Sequence, residues 1–135
     1  MKDMTMPSLN RWGAATGHAL VAALFLCEAW FKATHWDLTV AYMAHYSLPS
    51  ILLPGALALE LFGGLALLTG LGRRYAEFGL AVFCVGTALV FHTNWSDANQ
   101  LLHFEKDIAL AGALLVMAKS QQQAEARLPA PFWGT

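Results

Sequence analysis

PSILLPGALALELFGGLALLTGL, residues 49–71, decides the fold: one charged residue, Glu60, stands near the middle of an otherwise apolar run. A helix needs about 20 apolar residues to cross a hydrocarbon core of ~30 Å, and this stretch is long enough. Working outward, three further apolar runs flank it, which places predicted spans at 12–33, 49–71, 75–91 and 103–118 with a tail over 119–135. The chain is 57% hydrophobic and 13% charged, whereas soluble domains are roughly 45–50% apolar and about 25% charged. A soluble helical bundle also carries charged outer faces. The run Ala76–Phe91 has only Glu77 and no polar stripe. The expected fold is therefore an all-α integral membrane four-helix bundle of antiparallel up-down spans, forming one membrane domain over residues 1–135.

Charge and cysteine content exclude several function classes. Net charge is −1 and no Lys/Arg cluster is present, so nucleic-acid binding has no electrostatic footprint. Cys27 and Cys84 fall in separate spans and make neither a C-x-x-C nor a metal-type spacing, which argues against paired-cysteine thiol oxidation. They read as small apolar residues. Lys2 and Arg11 ahead of the apolar run to Cys27 imitate a signal peptide. Leu26 is too large for lipoprotein processing and the run continues past Cys27, so a retained first span is expected.

Local signals set the topology. Pro49 suits the first turn of a helix, and Pro54 is expected to kink the helix that follows. Leu71-Gly72-Arg73-Arg74 reads as a tight turn joining spans two and three into an antiparallel hairpin. Lys2, Arg11, Arg73, Arg74, Lys119 and Arg127 fall on one side and only Lys32 and Lys106 toward the other, so the positive-inside rule makes both termini cytoplasmic. His35, His45, His92 and His103 then gather on the outer side with Trp36, Asp37, Trp95 and Asp97. Asp37–Tyr46 reads as a short interfacial helix.

Ionisable groups inside spans are costly and mark function. Glu28 and Lys32 are spaced i,i+4 and share a helix face. Glu60 lies deepest, one turn from Gly63 and Gly64, and must be paired or protonated; it is expected to share a proton, or to meet Lys32 or Lys106. The bland alternative is a neutral glutamic acid that bonds two helices together. His103, Lys106 and Asp107 occupy one turn at the start of span four, and antiparallel spans bring His92 toward His103. The candidate catalytic residues are Glu60, His92, His103 and Asp107. The candidate ligand-binding residues are Glu28, Lys32, Lys106 and Trp95. No metal site is expected.

In order along the chain, Glu28 to Lys32, Leu48-Pro49, Glu60-Leu61-Phe62-Gly63-Gly64, Thr69-Gly70-Leu71, Arg73-Arg74 and Phe104-Glu105-Lys106-Asp107-Ile108-Ala109-Leu110-Ala111-Gly112 make a pattern that resembles the DoxX family of small four-helix membrane proteins. The resemblance implies a membrane subunit associated with oxidoreductases, chiefly thiosulfate:quinone or quinol-oxidising systems, and elsewhere with oxidative-stress or thiol complexes. Two functions follow as expectations. One is a redox subunit of the bacterial inner membrane whose outer-side pocket takes a quinone, with titratable side chains handling the coupled protons. No electron carrier is evident in the sequence, so a redox partner protein would supply it. The other is a non-enzymatic module, either a small-solute or proton pathway or a scaffold for a redox partner. Lipid, a redox partner and a second copy of the chain are the expected partners.

Overall fold

The computed structural model describes residues 7–127, and the distal part of the expected tail, 128–135, lies outside them. The described residues are all-α. The helices are α1 (Pro7–Thr34), α2 (Trp36–His45), α3 (Leu53–Thr69), α4 (Arg73–Phe91) and α5 (Ala98–Ala126), with a 3₁₀ turn over Ser50–Leu52. The segments Arg11–Thr34, Ser50–Thr69 and Arg73–Phe91 are each long and apolar enough to cross a membrane. α5 is long enough too, but Glu105, Lys106 and Asp107 interrupt it near its start and its last turns are polar.

Local chemistry sets the helix ends. Contrary to the expectation from sequence, Pro54 does not kink a helix interior. The chain leaves Pro49 extended, makes the 3₁₀ turn, and begins α3 at Leu53, so Pro54 sits in the first turn, where its missing N–H costs nothing. Gly70 (φ 84°) ends α3 and Gly72 (φ 61°) precedes α4. Both are left-handed, a conformation glycine adopts without the Cβ penalty. α5 starts five residues before the expected span because Asp97 caps it, its carboxylate accepting the Asn99 backbone N–H at 2.9 Å. The expected interfacial helix over 37–46 is present as α2. It closes at Ser47, the only non-glycine residue with positive φ (59°) among the described residues. Backbone bonds run from Ser47 N to Ala44 O and from Leu48 N to Met43 O, both 3.0 Å.

The chain divides into two compact units between Leu71 and Gly72. In the first, α1 packs on α3, and α2 sits against the end of α1 and the 3₁₀ turn. Ala22, Phe25, Ala29, Leu53 and Leu67 fill its core. At Gly64 an added methyl would lie 2.8 Å from Leu26 Cγ and 3.3 Å from the Ala22 carbonyl oxygen. Glycine is therefore what lets the two backbones approach, the way helices associate where lipid removes any hydrophobic drive between them. In the second unit α4 packs on α5 around Leu80, Ala81, Cys84, Ala88, Ala111 and Leu114. Large exposed apolar side chains, among them Trp12, Phe62, Phe78 and Val116, are the surface that lipid covers.

Candidate functional site

Each unit gathers one polar cluster. In the first, Lys32 stands one turn after Glu28 on α1, and its Nζ donates to Glu28 Oε2 at 2.9 Å. The same Nζ crosses to α3 and donates to Glu60 Oε1 at 2.8 Å. Lys32 pairs with Glu60 while Leu26 meets Gly64, so α1 and α3 run antiparallel. The two carboxylates differ sharply in setting: the Glu28 side chain is 48% exposed and that of Glu60 3%. Glu60 Oε2 is buried with no hydrogen-bond partner. Of the two lysines that sequence offered to Glu60, the structure selects Lys32.

The second cluster lies where the end of α4 meets the start of α5. His92 closes α4, and its Nδ1 is 2.9 Å from Gln100 Oε1 on α5, so Nδ1–H donates to the amide oxygen. That leaves Nε2 as the ring's free position in the neutral tautomer, 3.9 Å from Asp107 Oδ2. The imidazoles of His92 and His103 stack with centroids 5.1 Å apart and planes 22° from parallel. Asp107 Oδ2 also accepts from Thr87 Oγ1 at 3.3 Å, and that hydroxyl reaches its own helix at Cys84 O, 2.9 Å away. Half-buried His92 and Asp107 each have 16% of the side chain exposed.

The structure therefore joins Glu28, Lys32 and Glu60 in one cluster and His92, His103 and Asp107 in the other. Two predicted residues stand apart. Lys106 is exposed and forms no ion pair among the described residues, and Trp95 is exposed with its ring edge against Phe104 at 5.4 Å. Thr87 and Gln100 went unnoticed in the sequence because neutral polar residues at helix ends carry no signal until the helix register is known. Two further buried polar residues lie outside the candidate set. Glu77 is fully buried in α4, and His18 is buried in α1 with Nδ1 donating to Ala14 O at 2.7 Å. Glu77 had a signal, being the only charge in its run. Cys84 is buried, as expected of a small apolar residue, whereas Cys27 lies on an exposed face of α1.

The DoxX family model matches residues 13–93. That range begins within α1, runs past the end of α4 and stops short of the Lys106-Asp107 segment. The Inner membrane protein YqjF of Escherichia coli (strain K12) is 33% identical over 113 residues, which is 84% of this chain and 87% of the relative. No solved structure matches the chain. Together with the three helices able to span a bilayer, these similarities make the protein an integral protein of the inner membrane.

Proposed function

Because the chain belongs to the DoxX family, we propose that it serves a quinone-linked membrane oxidoreductase system, as a subunit or partner, through a polar titratable site on the outer side of the membrane. The observation that carries this reading is the second cluster, in which His92, His103 and Asp107 meet beside Gln100. Quinone reduction takes up protons as well as electrons, so a site for it needs groups that change protonation near neutral pH. With Nδ1–H held by Gln100, His92 takes a proton at Nε2. Asp107 stands close enough to stabilise the imidazolium formed there. His103, stacked on the same ring, offers a second acceptor. Electrons come from a partner protein, which is consistent with a family associated with oxidoreductases, though shared fold supports shared chemistry only by analogy.

Topology supports the outer placement. Arg11, Arg73, Arg74, Lys119 and Arg127 fall at the helix ends opposite both clusters, and the positive-inside rule assigns those ends to the cytoplasm. α5 is then the fourth span over 103–118, and both termini are cytoplasmic. Purification in mild detergent followed by redox difference spectroscopy and mass spectrometry of extracted lipid tests the reading. A quinone that co-purifies and is lost in His92→Ala or Asp107→Asn is the expected result. Wild-type protein with no bound quinone, together with unchanged quinone-dependent activity of membranes carrying either variant, would remove it.

A further inference from the structure

Charge does not balance in the first unit. Two carboxylates, Glu28 and Glu60, share the single ammonium of Lys32, which leaves one negative charge in excess when all three are ionised. The groups of this unit that face Glu60 are few. From α1 they are Lys32 in contact and Glu28 behind it, while the 3₁₀ turn against α3 contributes only Ser50. His35, Asp37 and His45 are exposed around α2, and His18 is occupied far down α1 with its own helix carbonyl. No second cation of the unit reaches the carboxyls. An excess charge in a low-dielectric setting is costly, and the group takes a proton instead.

The geometry assigns to Glu60, within the Glu28–Lys32–Glu60 cluster, a binding site for one exchangeable proton. Three observations support it. Glu60 Oε2 is buried and has no hydrogen-bond partner, so it is the oxygen on which a proton removes charge without breaking a bond. Oε1 stays on Lys32. Glu28 is half-exposed while Glu60 is buried, so the excess charge weighs most on Glu60. The site lies in a different unit from His92 and stands on its own geometry.

Infrared difference spectroscopy of the full chain in lipid nanodiscs tests this directly, because a protonated buried carboxyl gives a C=O band separate from carboxylate and amide bands. Wild-type protein should show one such band at neutral pH, and Glu60→Gln should lose it. The decisive variant is Glu28→Gln, a change at a half-exposed position. It leaves one lysine facing one carboxylate, so the band should vanish although Glu60 is intact, and Glu28→Asp should restore it. Absence of the band from wild type overturns the assignment. Its persistence in Glu28→Gln does so too, since it would then arise elsewhere, as at buried Glu77. Circular dichroism confirms that each variant is helical, and if Glu60→Gln fails to fold, the Glu28 variants still decide. The measurement needs neither quinone nor partner protein, so its outcome is separate from that of the proposed redox role.

Discussion

In the α1–α3 pair one lysine stands between two carboxylates, whereas the α4–α5 pair gathers two imidazoles, a carboxyl, an amide and a hydroxyl without lysine or arginine among them. The first arrangement depends on charge count. Its partners hold each other at 2.8 and 2.9 Å, and losing the lysine leaves both carboxyls without a cation. In the second the closest charged contact, His92 to Asp107, is 3.9 Å. Removing Gln100 or Thr87 there costs a hydrogen bond. The contrast separates a cluster tied by short charged contacts from one tied by neutral hydrogen bonds and ring stacking.

The largest effect expected follows from breaking the first arrangement. Lys32→Met strands two carboxylates, one of them buried, and should destabilise the protein by about 3–5 kcal/mol, as removal of one partner from a buried ion pair does. Thermal unfolding in detergent measures it, and a shift no larger than that of a surface variant would refute the charge-count account. Gly64→Val comes next. Its side chain would collide with Leu26 and the Ala22 carbonyl, an overpacking worth about 1–3 kcal/mol. If helix separation sets the Lys32–Glu60 contact, crosslinking between cysteines placed on α1 and α3 should fall as well.

Gln100→Ala probes the second cluster. Losing one hydrogen bond costs about 1 kcal/mol, and the ¹⁵N shifts of the His92 ring should then report mixed tautomers where the wild type shows Nδ1–H. Unaltered ring shifts would mean that Gln100 does not set the tautomer. The smallest effect belongs to Arg74→Ala. The Arg74–Glu125 pair at 3.5 Å is exposed on both sides, and such pairs contribute roughly 0–1 kcal/mol. A loss as large as that of Lys32→Met would erase the distinction between exposed and buried ion pairs on which the comparison rests.

Much of this was legible in the sequence. Apolar run lengths marked the membrane helices, and the i,i+4 spacing joined Glu28 to Lys32. Glu60 needed a cation or a proton wherever it went, because its depth forbids a bare charge. Which lysine answered was not legible. Lys32 and Lys106 were equally open until packing fixed α1 beside α3. Pro54 was misplaced for a related reason: one proline breaks a helix and another starts it, and the difference lies in the three residues between Pro49 and Leu53, which form a 3₁₀ turn. Thr87 and Gln100 depend on the register of α4 against α5, which is a property of two helices and of neither sequence alone.

The junction that closes α2 has a mechanical consequence. Ser47 holds a left-handed backbone that side-chain-bearing residues adopt at a cost, and the bonds to Ala44 and Met43 on either side of it keep it there. At the other end of α2, His35 N bonds to Phe31 O at 2.9 Å and Thr39 N to His35 O at 3.0 Å, so hydrogen bonding runs from α1 into α2 through the bend. A short helix fastened at both ends in this way does not swing as a door. A helix pair joined in this way is expected to meet a thinner or thicker bilayer by tilting together with α2.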